Sequence, residues 1–297
     1  MESILYRIFN YSFVFRVNTM IKLNLYPHFK ILHPITSIAV TIVTMIVSLP
    51  LTESFGIFSL FLLGLSMLSI QFSIGITNDL LDIDFDSIAK PWKPLVNGTA
   101  SIKMSYVVLA FLIIISFLSV FQFGFLAIFF LYFGFFLGII YNFGFKRTVY
   151  SWLPYSLAIP TVMVYARIIQ NNPNFFLLVL LYPLGLLAGP ALNIANQLPG
   201  AEEAKQSGEN SLIHKLGIKT AEKLSVILLL LLLIGTGLIL LILNHLNYVS
   251  IIFLILATLF ILMYIFLLKR NFLILAWPIS ILIISLLGFS FLPSFYG

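Results

Sequence analysis

Residues 78–94 read NDLLDIDFDSIAKPWKP. They close an apolar run, near 55–77, long enough to be a membrane helix, and they contain Asp79, Asp82, Asp84 and Asp86. The chain has ten acidic residues in all, so these four are a concentration rather than a scatter. Carboxylates at the end of a membrane helix are costly and mark a functional site by default. Asp79, Asp82 and Asp86 follow i, i+3, i+7 spacing, which predicts one shared helical face. Three acids on one face repel one another unless a cation sits among them. Oxygen ligands with no Cys or His beside them suit a hard ion such as Mg²⁺.

The composition around this stretch belongs to a membrane solvent. Hydrophobic residues make up 61% of the chain and charged residues 9%, against about 25% charged in a soluble domain. A large soluble domain is excluded. The absence of cysteine excludes disulfides and thiolate metal sites. A net charge of +6 suggests nucleic acid only until the charges are placed on a topology; no nucleic-acid partner is expected.

Apolar segments of about 20 residues, the length of a spanning helix, occur near 31–50, 55–77, 102–121, 124–143, 150–169, 174–196, 221–243, 248–268 and 271–293. Pro50, Gln122 to Gly124, Asn171-Asn172-Pro173 and Asn244 to Asn247 punctuate them. Fifteen of the sixteen Lys and Arg fall in the N-terminal segment and the loops after spans two, four, six and eight. Arg167 is the exception, read as a residue snorkelling at the outer surface. The positive-inside rule places the N-terminus in the cytoplasm and the C-terminus outside. The expected fold is all-α: a polytopic membrane protein of nine transmembrane helices around a central cavity, one domain over residues 25–297. Residues 1–24 are expected to lie along the membrane surface as an amphipathic segment. Spans one to four and five to eight read as related halves with the site between them.

On this topology Asp79, Asp82 and Asp86 share one face with Lys93, Lys146, Arg147 and a second polar cluster at 193–215. Basic groups beside a bound metal are what a diphosphate requires: the metal neutralises its oxygens, and Lys and Arg add charge and hydrogen bonds. Lys103, Lys219, Lys223, Lys269 and Arg270 read as topology determinants near anionic headgroups. His33 and His214 are placed to meet a diphosphate, or to serve as capping or interfacial residues; no histidine pair has metal-ligand spacing.

Three motifs carry a resemblance. They are Asn78-Asp79-x-x-Asp82-x-x-x-Asp86 followed by Lys90-Pro91-Trp92-Lys93-Pro94-Leu95; Tyr141-x-x-x-x-Lys146-Arg147; and Gly208-x-x-Ser211-Leu212 with Leu216-Gly217. Together they resemble the UbiA superfamily of intramembrane prenyltransferases, from about residue 26 to the end. The resemblance implies that a polyprenyl diphosphate binds through two Mg²⁺ ions, one at each aspartate-rich motif, and that an acceptor captures the allylic cation. It implies that Asn78, Asp79, Asp82 and Asp86 hold one metal, that Lys93, Lys146 and Arg147 grip the diphosphate, and that Tyr141 lies near the reacting carbon. The physical requirements agree independently. Fixed cations stabilise charge developing on the leaving group, and a dry pocket drawn from thirty Phe and thirteen Tyr could stabilise a carbocation.

The second motif departs from the family's pattern. Gln197, Gly200 and Ala204 stand where the family commonly has aspartates. Two readings stay open. In one, Glu202 or Glu203, with Asn193, Asn196 and Gln197, holds a second metal in altered geometry; neutral amides bind Mg²⁺ more weakly than carboxylates. In the other the second site is lost. One metal with Lys205 or Lys215 then suffices, or the chain is a catalytically impaired member acting as a membrane-complex subunit or lipid-binding scaffold. Asn193 alone reads as a cap or hydrogen-bonding residue. The leading expectation is prenyl transfer to an unidentified acceptor with Mg²⁺. A transporter would need polar access from both faces, whereas the polar groups crowd onto one.

Overall fold

In a bilayer core a backbone must satisfy its own polar groups, and a helix does so within one segment. Among the described residues the long apolar runs are helical and there is no strand. The computed structural model describes residues 25–49, 56–169, 175–202 and 210–295. The expected interfacial segment 1–24, with Glu203 and Lys205, lies outside the described residues. The helices are α1 (Leu25–Lys30), α2 (Pro34–Val47), α3 (Ile57–Leu81), α4 (Ile83–Ala89), α5 (Ile102–Val120) and α6 (Gly124–Asn142). They continue with α7 (Trp152–Ile168), α8 (Phe175–Gln197), α9 (Leu212–Leu216), α10 (Ile218–Ile242), α11 (Tyr248–Lys269) and α12 (Ala276–Phe289).

Six stretches among the described residues are long and apolar enough to cross a membrane. One of them, Ile102–Asn142, has 41 residues and as one helix would rise about 60 Å, twice a bilayer core. It is instead a hairpin of α5 and α6, broken by a 3₁₀ turn at Phe121–Phe123 and by Gly124 at φ 83°. The Tyr132 hydroxyl reaches back across the hairpin to the Ile113 carbonyl at 3.1 Å. The segments expected at 31–50 and 150–169 are shorter helices, α2 with 14 residues and α7 with 17, rising about 21 Å and 25 Å. His33, in the left-handed region at φ 49°, separates α1 from α2.

Small residues let backbones approach in place of a hydrophobic drive between helices. α7 packs along α8 where Gly185 and Gly189 meet Ser156. A Cβ at Gly189 would lie 2.1 Å from Ser156 Oγ, and one at Gly185 would lie 2.3 Å from the Ser156 carbonyl oxygen. The same device positions the site. A Cβ on Gly75 would lie 2.9 Å from the Leu32 carbonyl, and one on Gly138 would lie 2.8 Å from Ile74 Cδ1. These glycines seat the start of α2 and the end of α6 on α3. α3 contacts α2, α5 and α6, and α8 contacts α7, α10 and α12, so α3 and α8 each serve as a packing hub. Phe111, Ile114 and Leu118 of α5 and Ile234 and Leu238 of α10 remain exposed, as a lipid-facing surface requires.

The expectation for Arg167 is overturned. It is 1% exposed, because α7 is covered by α2, α6 and α8, and a snorkelling side chain would reach solvent or headgroups. Polar contacts surround this end of α7. The Tyr165 hydroxyl lies 2.6 Å from Ser66 Oγ, and Ser48 Oγ donates to the Ala166 carbonyl at 3.3 Å.

Candidate functional site

The helix that begins at Ile57 does not run straight through the first motif. It breaks at Asp82, whose backbone (φ −97°, ψ 0°) separates α3 from α4. Asp79, Asp82 and Asp86 therefore sit on two consecutive helices, each less than a tenth exposed. Asp84 faces outward. Each of the three buried acids has a cationic partner. Lys93 Nζ donates to Asp79 Oδ1 at 2.8 Å and to Asp86 Oδ2 at 2.6 Å. Lys146 donates to Asp82 Oδ2, and Arg147 Nη2 donates to Asp82 Oδ1 at 2.6 Å. Lys146 also donates to Asn78 Oδ1 at 2.8 Å. His33 Nε2 lies 3.1 Å from Asp79 Oδ1, a contact that the close approach at Gly75 permits.

Local sequence brings these groups together from three loops. Pro91 and Pro94 stop α4 and fold residues 90–101 into a compact turn, with Val96 N and Asn97 N both donating to the Lys93 carbonyl. Leu95 and Ala100 anchor that turn against Ile31 and Ile76. After α6, Gly144 at φ 133° starts a single 3₁₀ turn, Phe145–Arg147, which aims Lys146 and Arg147 back at Asp82. Asn142 Nδ2 donates to the Ile74 carbonyl at 3.1 Å and ties the end of α6 to α3.

The two lysines have opposite electrostatics. Burial works against the charge on Lys93, but Asp79 and Asp86 outweigh it and hold its pKa above the ordinary lysine value. Burial pulls the pKa of Lys146 below that value; Asp82 offsets this only in part, and Arg147 and Lys93 add to the depression.

These groups stand at the polar end of a cavity of about 710 Å³. Asn78, Asp82, Asp86, Lys90, Lys93 and Lys146 line it, with His33 and Tyr141 beside them. Asp79 is held just behind the wall by His33 and Lys93. Arg147 is also off the wall: it braces Asp82 and lies 4.1 Å from the Phe85 ring centroid. The Tyr141 ring meets Tyr155 edge-on at 5.1 Å between centroids. Deeper walls are mainly apolar, among them Ile70, Ile74, Phe130 and Leu131, and the deepest reach Met67 and Tyr165. A smaller apolar cavity of about 140 Å³ adjoins it. The two share Val40, Ile159, Val162, Leu192 and Ile281 as walls, so these five stand between them.

The second polar cluster faces the first across the cavity. Asn196, Gln197, Gly200, Ala201 and His214 line it. Ser151 Oγ donates to Asn193 Oδ1 and Ser211 Oγ donates to Gln197 Oε1, both at 2.8 Å. Gln197 Nε2 donates to Ser151 Oγ at 3.3 Å, and His214 Nε2 donates to the Ala201 carbonyl at 2.8 Å. Asn196 Nδ2 donates to the Tyr155 hydroxyl at 3.2 Å. Asn193 is fully buried as a hydrogen-bonding knot between α7 and α8. Glu202 is exposed and off the cavity wall.

The first cluster's donor chemistry, one amide and three carboxylates without sulfur, fits a hard divalent cation. The described part of the second offers no carboxylate on the wall, and the Asn193 and Gln197 oxygens there already accept hydrogen bonds. Among the described residues no three His, Asp or Glu side chains converge as a ready ligand set, because the first-motif carboxylates point to their lysines and arginine. His33 and His214, weighed from the sequence as diphosphate-facing or capping residues, stand on the cavity wall; Lys90 and Gln71, also on it, stood outside the sequence-derived site. Lys90 could have been found, since it opens the Lys-Pro-x-Lys-Pro string.

A sequence model described as the UbiA prenyltransferase family matches residues 37–291. The chain belongs to the UbiA prenyltransferase family. As a UbiA family member carrying these apolar stretches, it is a multi-pass membrane protein. Solved structures agree in fold. A UbiA homologue from Archaeoglobus fulgidus bound to GPP and Mg²⁺ aligns with a TM-score of 0.71 at 16% identity, over 90% of this chain and 99% of that one. One from Aeropyrum pernix K1 gives 0.69 at 14%, over 87% and 96%. A structure described for digeranylgeranylglyceryl phosphate synthase gives 0.63 at 18%, over 90% and 98%. No curated protein sequence matches the chain.

Proposed function

We propose that this UbiA family member transfers a prenyl group from a polyprenyl diphosphate to an acceptor within the membrane. The observation that carries this reading is the join of two environments in one cavity: three carboxylates and their cations at one end, an apolar interior below. An amphiphile with a diphosphate head and an isoprenoid tail fits both. The family and the Archaeoglobus homologues bound to GPP or DMAPP with Mg²⁺ support the same donor and a divalent metal.

On this reading Asn78, Asp79, Asp82 and Asp86 hold Mg²⁺, which when bound neutralises diphosphate oxygens and aids loss of the leaving group. Lys93 and Lys146 turn from the carboxylates toward those oxygens and stabilise the charge that develops on them. Arg147 orients Asp82. Tyr141 and Tyr155 present aromatic surface where the polar and apolar walls meet, suited to an electron-poor carbon. The nine longer helices, α2, α3, α5 to α8 and α10 to α12, each cross the bilayer, with this end of the cavity at the cytoplasm.

The neutral second cluster favours one other reading, a non-catalytic subunit or lipid-binding scaffold on the same fold. Purified protein, labelled geranylgeranyl diphosphate, Mg²⁺ and a panel of acceptors separate the two. Transfer or hydrolysis that is lost in Asp79→Ala and Asp82→Ala supports the enzyme. A folded wild-type chain that consumes no diphosphate under any condition supports the scaffold.

A further inference from the structure

We propose that His33 is a positioning residue for the first motif: it anchors Asp79 through one oxygen, so that Lys93 can leave that carboxylate for the diphosphate. The inference rests on the prenyl diphosphate reading above and specifies what keeps the acids in place when the lysines move.

Lys93 and Lys146 each share a carboxylate with a second donor of another kind. Asp82 takes Lys146 and Arg147, and Asp79 takes Lys93 and His33. The Asp86 carboxylate bonds Lys93 alone among the described side chains. When both lysines turn to the leaving group, Arg147 still holds Asp82 and His33 still holds Asp79; Asp86 is the one carboxylate released. A buried carboxylate stripped of every donor is costly, and the outer partners of ligating carboxylates fix their orientation. Asp79 is 5% exposed, so water does not replace a lost donor there.

The contact has a defined polarity. An ionised carboxylate only accepts, so His33 Nε2 carries the proton and donates to Asp79 Oδ1 at 3.1 Å. Asn78 Nδ2 donates to the same oxygen at 3.3 Å and Lys93 Nζ at 2.8 Å. Three donors converge on Oδ1. No donor among the described residues bonds Oδ2, which is left for a cation.

The backbone is shaped for this contact. His33 sits in the left-handed region at φ 49°, ψ 56°, uncommon for a residue with a Cβ. Its side chain makes no capping bond to α2, so capping does not account for it. Strain of this kind persists where the surroundings enforce it. Thr36 Oγ1 and Ser37 N donate to the His33 carbonyl at 2.8 Å and 3.1 Å, and Ser37 Oγ donates to the Leu32 carbonyl at 3.0 Å. Gly75 leaves room on the other side: a Cβ there would lie 2.9 Å from the Leu32 carbonyl oxygen and 3.2 Å from His33 Cδ2. The ordinary alternative, an interfacial histidine that touches Asp79 in passing, predicts no effect on metal binding.

The test uses the full chain in detergent, saturated with geranylgeranyl S-thiolodiphosphate, an unreactive analogue. Mn²⁺ is titrated in, and the free ion is read by electron paramagnetic resonance. His33→Gly suits the left-handed backbone but has no donor. It is expected to keep wild-type helicity and to bind Mn²⁺ about tenfold or more weakly. Should it lose helicity, His33→Asn, which tolerates the same backbone and is too short to reach Asp79, takes its place. His33→Gln, whose amide N–H replaces Nε2–H, is expected to restore most of the affinity. Wild-type Mn²⁺ affinity in His33→Gly overturns the inference. So does a loss of analogue affinity alone, which would make His33 a diphosphate ligand, and so does His33→Gln binding Mn²⁺ no better than His33→Gly. All three leave the enzyme reading standing. If the wild-type chain takes up no analogue, the prenyl diphosphate reading fails and takes this inference with it.

Discussion

Replacing Lys93 by Met keeps most of the side chain's stem and removes the charge that two buried carboxylates share. Asp79 Oδ1 and Asp86 Oδ2 both bond the same nitrogen, at 2.8 Å and 2.6 Å, so they lie within about 5.4 Å of each other. Without the ammonium they face each other as like charges. At an effective dielectric constant of about 20, two charges at that distance repel by about 3 kcal/mol. The side chains are 5% and 3% exposed and Lys93 is 19% exposed, so water screens little of this. Loss of one partner of a buried pair costs a similar 3–5 kcal/mol. At about 2–4 °C per kcal/mol for a chain of this size, the metal-free Lys93→Met variant should melt about 6–12 °C below wild type in the same detergent. Asp86→Asn in the Lys93→Met background should recover about half the loss, because it removes the repulsion but not the missing bonds. Addition of Mg²⁺ should stabilise the single variant more than wild type, its carboxylates being free of competition. A melting temperature unchanged by Lys93→Met, or no recovery in the double variant measured by thermal-shift fluorescence, would refute the assignment of Lys93 as the shared counter-ion.

Lys146→Ala should weaken binding of the unreactive diphosphate analogue at least tenfold, from loss of a charge-assisted contact of about 1.5–3 kcal/mol, as read by isothermal titration calorimetry. Gly189→Ala should lower stability by about 1–3 kcal/mol, since its Cβ would meet Ser156 at 2.1 Å; Gly237→Ala, with open space around its Cβ, should not, and the pair of melting curves provides the comparison. Ile159→Phe enlarges a side chain on the wall the two cavities share. It should shift kcat/KM toward geranyl over geranylgeranyl diphosphate by about tenfold, and an unaltered ratio would place the tail elsewhere.

Much of this architecture was legible because its signals are long. Apolar runs of twenty residues and a one-sided distribution of Lys and Arg mark helices and their loops, and the acidic string with Lys93 and Lys146 marked the groups the structure brings together. Features that depend on a single close approach were not legible. His33 reaches Asp79 because Gly75 has no Cβ to hold Leu32 away, and nothing in the sequence around residue 33 announces it. Arg167 reads as a lone charge at a helix end, but three neighbouring helices enclose it. Even spacing predicts one face for Asp79, Asp82 and Asp86; the break at Asp82 and the competing lysines set Asp79 behind the wall. α7 reads as a span despite Ser156, Thr161 and Arg167, which the bundle buries rather than turns toward lipid.

The cavity's deepest walls are Met67 and Tyr165, and the Tyr165–Ser66 contact stands at that end. Among the described residues the charged side chains that line the cavity all stand at its opposite end. On the proposed function a charged head group enters and pyrophosphate departs at that polar end, so neither traverses the electric field of the bilayer. Moving one elementary charge through 100 mV is worth about 2.3 kcal/mol, and a catalyst whose charged groups keep to one end forgoes that source of work altogether. Its turnover should run at the same pace in polarised vesicles as in collapsed ones.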